Sequence, residues 1–148
     1  MFRYGKLARQ AVSAISYVAE TYHLEALAVS SSDVGKARQI PKALAAKLLS
    51  EAAAAGLLRG TTGPGGGYRL ARPPSEISLM EVVNLFERPL VDSPCPFGPG
   101  WCGKGEPCPL HRDFEKLEQK IRGFLEGTTF AVFVKPQKAV GRKKTGSK

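Results

Sequence analysis

The segment from residue 89 to residue 109 constrains this chain more than any other part of its sequence. It contains six of the eleven prolines, four glycines, all three cysteines and the single tryptophan. Proline and glycine at this density exclude a regular helix or a central strand. A loop of about twenty residues is uncommon in a compact domain and usually has a function. We therefore expect a folded domain before the loop, a separate element after it, and a bound metal that orders the loop.

The part of the chain before the loop predicts three successive helices. Apolar residues recur with helical spacing over residues 5–22. The serines at positions 30–32 can cap a short helix over residues 33–38, and Pro41 suits the start of a third helix over residues 42–55. Two short helices joined by a tight turn are typical of a helix-turn-helix, although an ordinary helix pair has the same pattern.

A β-hairpin with a glycine-rich tip is predicted next. Residues 57–60 and 67–70 have the pattern of short strands, and residues 61–66 between them carry no bulky side chain. Helices followed by such a hairpin give the element order of a winged helix, whose tip can approach a phosphate backbone or minor groove closely. A nucleotide phosphate loop is disfavoured, because that loop ends in Gly-Lys-Ser/Thr and precedes a helix. A capping box of Ser78 and Glu81 then begins a further helix.

After the loop, apolar residues recur at alternating spacings of four and three, which predicts a long helix with an apolar seam. The seam consists of Leu110, Phe114, Leu117, Ile121, Phe124 and Leu125. Such a seam packs either on the core of its own chain or on the twin helix of a homodimer. Thr128 and Thr129 precede a short apolar helix over residues 130–134, and the basic tail from residue 135 is expected to be disordered.

The predicted fold class is mostly α-helical with a small β-wing. The expected organisation is a winged helix-turn-helix DNA-binding domain (1–88), a cysteine-rich cluster-binding loop (89–109), a dimerisation helix with a short C-terminal helix (110–134) and a basic tail (135–148). No apolar run approaches the roughly 18 residues of a membrane span. No secretory cleavage site follows the basic N-terminus, so we expect a cytoplasmic protein with no membrane partner.

The net charge of +9 is distributed unevenly along the chain. Residues 1–70 carry nine basic and four acidic side chains, residues 71–134 carry seven and nine, and residues 135–148 carry six and none. A basic domain attracts polyanions by releasing counterions from phosphate, although a protein can be basic without such a partner. We expect double-stranded DNA as the partner. The candidate contacts are Arg3, Lys6, Lys42, Lys47, Arg59, Gly65 and Gly66.

Cys95, Cys102 and Cys108 form the candidate metal site. An odd number of cysteines without a secretion signal argues against a disulfide framework. Thiolates suit iron–sulfur clusters and zinc, and spacings of six and five residues let one loop wrap around a polynuclear cluster. His111, at the start of the long helix, is placed to supply a fourth ligand. The alternatives are a solvated histidine and three unconnected thiols.

The glycine-rich stretch 63–70, the helix from Ser78, the cysteine loop and His111 together resemble the Rrf-two family of bacterial regulators, over about residues 3–134. Family members are homodimers with a winged helix-turn-helix, a cluster loop and a long dimerisation helix. The resemblance implies a transcriptional regulator that responds to iron–sulfur supply, nitric oxide or redox state. It also implies no enzymatic activity and no small-molecule substrate.

The resemblance also implies a ligand set. The three cysteines match the family's thiolate ligands, and His111 matches the fourth ligand of IscR-type members, which hold a [2Fe-2S] cluster. NsrR-type members instead use an aspartate from the partner subunit, and here that position is Arg9. The first cysteine spacing is one residue longer than usual, which leaves [2Fe-2S] and [4Fe-4S] both open. Thr61 and Thr62 stand where the IscR type has a wing arginine, and Arg59 is a candidate replacement.

Two other functions remain compatible with these residues. The first is a DNA-binding regulator without an iron–sulfur cluster, either stabilised by zinc or sensing thiol oxidation directly. The second is an enzyme with a reactive cysteine, which is disfavoured because no acid–base pair or orienting group surrounds the cysteines in sequence. The sequence therefore predicts a regulator and not an enzyme.

Overall fold

A computed structural model describes residues 4–23, 28–87, 97 and 106–136. Its elements are α1 (Lys6–Glu20), α2 (Ser31–Arg38), α3 (Lys42–Ala54), β1 (Leu58–Thr61), β2 (Gly67–Leu70), α4 (Leu79–Phe86) and α5 (His111–Gly127), with 3₁₀ helices at Pro74–Glu76 and Phe130–Phe133. This mostly helical architecture with a two-stranded wing confirms the predicted fold class. Arg3, Cys95, Cys102, nearly all of the loop 89–109 and most of the tail 135–148 lie outside the described residues. None of the described helices combines the length and apolarity needed to cross a membrane.

The helices α2 and α3 form the predicted helix-turn-helix. A capping box joins Ser30 and Asp33, in which each side chain accepts a hydrogen bond from the other residue's backbone N–H. This cap starts α2 two residues earlier than predicted. Gln39 ends the helix in the left-handed conformation, with φ of 53°. Gly35 lies against the turn, since a Cβ built there would be 2.7 Å from the carbonyl oxygen of Ile40. The turn is therefore tight, and it depends on a residue without a side chain.

The helix α3 follows Pro41, and Gly56 ends its last turn with a φ of 80°, as expected for a glycine stop. One face of α3 is buried in the core, formed by Ala45, Leu48, Leu49 and Ala52. The opposite face is exposed, so α3 presents its polar side chains to solvent.

The wing is an antiparallel hairpin in which Leu58 pairs with Leu70 and Thr61 pairs with Gly67. The strand β1 starts one residue later than predicted, because Leu57 is buried and its N–H still closes the end of α3. Val29 extends the sheet, since it exchanges two backbone hydrogen bonds with Tyr68, at 3.0 and 2.8 Å. This close approach explains why residue 67 is a glycine, because a Cβ there would be 2.6 Å from the carbonyl oxygen of Val29.

The chain after α5 returns to the N-terminal part of the protein. Ser78, which caps α4 through the predicted box with Glu81, forms an isolated antiparallel bridge with Thr129. The N–H of Phe130 donates to the carbonyl of Ile77 at 2.9 Å. Phe130 is fully buried, and the segment predicted as a helix over 130–134 is a 3₁₀ helix ending at Phe133.

A single apolar core therefore includes residues from both sides of the cysteine loop. Its largest fully buried side chains are Ile15, Val18, Val34, Leu48, Leu49, Ile77, Val82, Val83, Leu125 and Phe130. The C-terminal end of α5 is fixed in this core through Leu125. The rest of α5 is more exposed, and its N-terminal end follows the cysteine loop directly in the chain.

Candidate nucleic-acid interface and cysteine site

The exposed face of α3 carries two of the predicted DNA contacts. Lys42 is the first residue of the helix and is exposed, and Lys47 lies one and a half turns further along. Lys47 also forms a long ion pair with Glu51, at 3.9 Å, and its side chain remains 64% exposed. A pair this exposed contributes little to stability, so the Lys47 ammonium group remains accessible to a ligand. Exposed Ala43 and Ser50 add little bulk to this face, which suits a helix that enters a major groove.

Two glycines predicted to contact DNA have different structural positions at the wing tip. Gly65 has a φ of 74°, and no described atom lies within 4 Å of a Cβ built there. Gly66 is enclosed, because a Cβ there would be 2.5 Å from the carbonyl oxygen of Thr61. The geometry of the turn therefore requires a glycine at position 66. Gly65, in contrast, leaves the tip open to close approach by another molecule.

Arg59 is exposed on β1 and lies directly opposite Arg69 on β2. Arg69 was not among the DNA contacts predicted from the sequence. The hairpin register could have found it, because pairing residue 61 with residue 67 also places residue 59 opposite residue 69. The wing thus carries two arginines at one level of the sheet.

The N-terminus of α1 is joined to the residue that ends α4. The N–H of Gly5 donates to the Glu87 carboxylate at 2.7 Å, which satisfies one of the free donors at the start of α1. The predicted contact Lys6 is exposed beside this bond, and Arg9 is exposed one turn later. Glu87 therefore joins the C-terminal end of α4 to the basic N-terminal end of α1.

Cys108 and His111 are adjacent at the N-terminus of α5. The Cys108 side chain is buried, with a relative exposure of 5%, and His111 is half-buried. The His111 N–H donates to the carbonyl of Cys108 at 3.0 Å, so the two residues lie within one turn of chain. Among the described residues no three potential metal ligands form a group, and the other two cysteines lie outside those residues.

Phe97 is the residue between Cys95 and Cys102 that the structure describes. Its ring packs edge-on against Phe114 of α5, with 5.3 Å between the ring centroids. Phe114 lies one turn after His111 on the same helix. Phe97 therefore lies next to the first turn of α5, close in the chain to Cys108 and His111.

A polar network around Glu20 connects α1, α2 and the chain after α5. Arg38, the last residue of α2, forms an ion pair with Glu20 and donates to Ser16 Oγ at 3.1 Å. Its guanidinium group also lies over the Tyr17 ring, 5.3 Å from the centroid. Lys135 Nζ reaches the other Glu20 oxygen at 2.7 Å. This network was not predicted from the sequence, because its members are far apart in the chain.

The charge state of Glu20 follows from these contacts. Burial raises the pKa of the carboxyl group, but the hydrogen bonds and positive charges of Lys135 and Arg38 outweigh it. The pKa of Glu20 therefore lies below its ordinary value, and the side chain is ionised near neutral pH. The ionised carboxylate holds the end of α2 and the chain after α5 in place.

These features define a regulator of the winged helix-turn-helix class, with an exposed basic helix, a glycine-tipped wing and a cysteine at the base of a long helix. Comparison with known protein families gives a match to the Rrf2 family, described as iron-dependent transcriptional regulators, over residues 4–136. The chain belongs to this family, which confirms the resemblance to the Rrf-two family. Its members are DNA-binding regulators and not enzymes, as predicted.

Individual relatives agree with this assignment. The chain is 30% identical to a putative HTH-type transcriptional regulator of Aquifex aeolicus over 103 residues, which cover 68% of this chain and 72% of that protein. It is 31% identical to the HTH-type transcriptional regulator IscR of Escherichia coli K12 over 132 residues, 89% of this chain and 80% of IscR.

Solved structures share the fold at lower identity. The global cysteine regulator CymR of B. subtilis superimposes with a TM-score of 0.72 at 17% identity, covering 91% of this chain and all of that one. IscR of T. potens superimposes with a TM-score of 0.66 at 21% identity, covering 88% and 84%. Both structures support the winged-helix fold.

Proposed function

We propose that this regulator binds DNA as a homodimer and adjusts its affinity through an iron–sulfur cluster held by Cys95, Cys102, Cys108 and His111. The observation that carries the cluster assignment is the convergence at the N-terminus of α5. Cys108 and His111 lie there within one turn, and Phe97, from between the other two cysteines, packs one turn away. The position of Phe97 supports the proposal that Cys95 and Cys102 join the two described candidate ligands at this end of α5.

The donor set and its surroundings fit an iron–sulfur group. Thiolates are soft ligands that suit such clusters, and an imidazole nitrogen can replace a thiolate on one iron. Burial of Cys108 limits solvent access, which favours retention of a cluster over oxidation of a free thiol. The similarity to IscR of E. coli favours the [2Fe-2S] type. When bound, the cluster supplies a redox-active group whose ligation by histidine is sensitive to pH.

The exposed part of the α5 seam supports the homodimer. Leu117 is 51% exposed and Phe124 is 62% exposed, whereas Leu125 is buried in the core of its own chain. Packing on the core of its own chain is therefore seen at Leu125, and the exposed part of the seam is left for the twin helix that we propose. Exposed large apolar residues at heptad spacing fit a twin helix, as in a C2 dimer.

The DNA-binding mode follows from the exposed basic surfaces. We place α3, with Lys42 and Lys47, in the major groove and the wing around Gly65 at the adjacent minor groove. Lys6, and Arg3 just before it, would contact the phosphate backbone. Pairing of α5 with its twin sets the distance between two half-sites. A change in the loop 89–109, which leads directly into α5, biases the relative position of the two wings and so shifts the population of DNA-competent dimers.

Anaerobic purification followed by a visible spectrum and metal analysis tests the cluster. We expect a brown protein containing iron and sulfide, with the spectrum shifted or lost in His111→Ala and lost in Cys108→Ala. His23→Ala is the matched control, since it changes the other histidine, which is exposed next to Tyr22. That variant should retain the wild-type spectrum.

Two outcomes would contradict the cluster and support the alternatives. A colourless protein with one zinc per chain indicates a structural zinc site. A metal-free protein whose DNA affinity changes on thiol oxidation indicates direct cysteine sensing. The structure of CymR from Staphylococcus aureus, which shares this fold, is also known in an oxidised form, which is a reason to test the thiol alternative here.

A further inference from the structure

We infer that Lys47 and Glu51, one turn apart on α3, together recognise one G·C base pair in the major groove. This inference rests on the proposed function, which places α3 in that groove, and adds to it the identity of a base pair. It also adds Glu51, which was not among the DNA contacts predicted from the sequence. The ligand is the edge of the base pair, with guanine bound by the lysine and cytosine by the glutamate.

The two side chains lie together on the exposed side of α3. The buried side of the helix is formed by Ala45, Leu48, Leu49 and Ala52. With 3.6 residues per turn, Lys47 points away from that side, and Glu51 lies beside it one turn further along. The Lys47 ammonium and the Glu51 carboxylate are 3.9 Å apart, and the side chains are 64% and 44% exposed. A donor and an acceptor are therefore presented side by side to solvent.

The ion pair between these residues contributes little to the fold. A pair this long and this exposed is weak, because water and salt screen it. Alanine has a higher helix propensity than glutamate, so α3 does not need a glutamate at position 51. Glu51 is also the one acidic residue of α3, and DNA phosphates repel a carboxylate. A contact with a base explains why a carboxylate occupies this position.

The chemistry of the pair matches the major-groove edge of G·C. Guanine presents two neighbouring acceptors there, O6 and N7, and cytosine presents its N4 amino group as a donor. A lysine ammonium has only donors, and a carboxylate has only acceptors. Guanine O6 and cytosine N4 are neighbours within the base pair, so a donor beside an acceptor binds both bases at once. An A·T pair is a poorer match, because thymine offers a single acceptor beside its methyl group.

The neighbours of the pair allow close approach to the base edges. Ala43 and Ser50 are exposed on the same side of α3, one turn before and one turn after Lys47. Their short side chains leave Lys47 and Glu51 as the longest groups in the middle of this side. Lys47 also lies in the N-terminal half of the 13-residue helix, and N-terminal residues of the second helix contact base edges in helix-turn-helix proteins. Both side chains can therefore reach a base pair.

The test uses the full chain, purified anaerobically, and the duplex that it selects from a random library of about 30 base pairs. Binding is measured at one potassium chloride concentration to copies of this duplex in which each G·C pair is replaced in turn by A·T. We expect the wild type to lose roughly tenfold in affinity when the pair contacted by Lys47 and Glu51 is replaced.

Lys47→Ala and Glu51→Ala should each remove most of this discrimination, and both at the same base pair. The double variant should show little further change there, because the two contacts belong to one base pair. Glu51→Gln provides a further variant, since its amide suits adenine better than cytosine. The A·T replacement at that pair should therefore weaken binding less in Glu51→Gln than in the wild type. Circular dichroism checks that each variant remains folded.

Glu76→Ala is the matched control, since it removes an exposed carboxylate from the 3₁₀ helix Pro74–Glu76, outside α3. It changes the net charge by the same amount as Glu51→Ala. It should keep the wild-type discrimination at every G·C pair.

Unchanged discrimination in Glu51→Ala, with a wild type that binds selectively, would overturn the inference and leave the proposed function intact. Loss of discrimination at two different base pairs in the two alanine variants would also overturn it, because the side chains would then act separately. A wild type that selects no common sequence from the library would contradict the proposed DNA-binding mode itself.

Discussion

Ser78 and Thr129 lie opposite each other in an antiparallel bridge, so the residue that caps α4 also holds the chain that leaves α5. Two backbone hydrogen bonds flank this bridge, from Leu79 to the Thr128 carbonyl and from Phe130 to the Ile77 carbonyl, both at 2.9 Å. The bridge brings Phe130 into the core of the helix-turn-helix domain. The long helix is therefore tied to the DNA-binding domain at its C-terminal end.

Replacing Phe130 with alanine should destabilise the protein by about 3–5 kcal/mol, because it removes a fully buried aromatic side chain and leaves a cavity. Urea denaturation followed by circular dichroism measures the change. Val132→Ala is the control, since Val132 is 66% exposed and its truncation should change the stability by less than about 0.5 kcal/mol. Equal effects of the two substitutions would show that Phe130 does not anchor this segment.

Glu20→Gln should lower stability near neutral pH by roughly 1.5–3 kcal/mol, the range for hydrogen bonds to charged groups. The pKa of Glu20 is lower in the folded protein than its ordinary value of 4.5, so its stabilisation is present above that value. The contribution is lost as the pH falls from about 4.5 through the folded-state pKa. The difference in unfolding temperature between wild type and Glu20→Gln should therefore shrink below pH 4.5. A difference that stays constant from neutral to acid pH would contradict the ion-pair network.

Gly35→Ala should distort the helix-turn-helix, because the new Cβ would be 2.7 Å from a backbone oxygen that cannot move independently. We expect a loss of about 1–3 kcal/mol, as for overpacking, together with weaker DNA binding. Gly123→Ala is the matched helical control, since no described atom lies within 4 Å of its Cβ position. It should stabilise the protein by up to about 1 kcal/mol through helix propensity. If both changes stabilised the protein, the turn would not require a glycine.

Leu117→Asp and Phe124→Asp should convert the proposed homodimer into monomers, since each places a carboxylate in an apolar seam. Sedimentation equilibrium gives the oligomeric state, and circular dichroism checks that the chain remains folded. Gln119→Asp provides the control, because it adds the same charge on the opposite side of α5. A wild-type monomer at all concentrations, or a dimer retained in both seam variants, would refute pairing through this helix.

Local signals in the sequence predicted most of the helices and both strands. The Ser78–Glu81 capping box, the Gly56 stop and the start of α3 after Pro41 each depend on a few neighbouring residues. The residues that form these features are neighbours in the chain, so patterns of capping and spacing are sufficient to predict them. The boundaries moved by one or two residues where a specific cap or a buried side chain determined them.

Contacts between distant residues could not be predicted in this way. The bridge between Val29 and Tyr68 and the burial of Phe130 depend on how complete elements pack, and no local pattern marks them. The partners of Glu20 on α2 and after α5 are separated by most of the chain. Of the candidate ligands, the sequence placed Cys108 and His111 one turn apart, and the structure shows them so. The positions of Cys95 and Cys102 remain a prediction.

Because the C-terminal end of α5 is fixed in the core, a tilt of this helix displaces its N-terminal end. Its 17 residues span about 25 Å, with Leu125 in the core near the C-terminal end and Cys108 just before the N-terminal end. A tilt of about 5° around Leu125 moves the N-terminal end by roughly 2 Å. Conversely, a shift of that size at the cysteine rotates the whole helix, and any twin helix paired along it must follow. In the proposed homodimer, the distance between the two recognition helices would then depend on this angle, and a small local rearrangement would be amplified into a change of spacing.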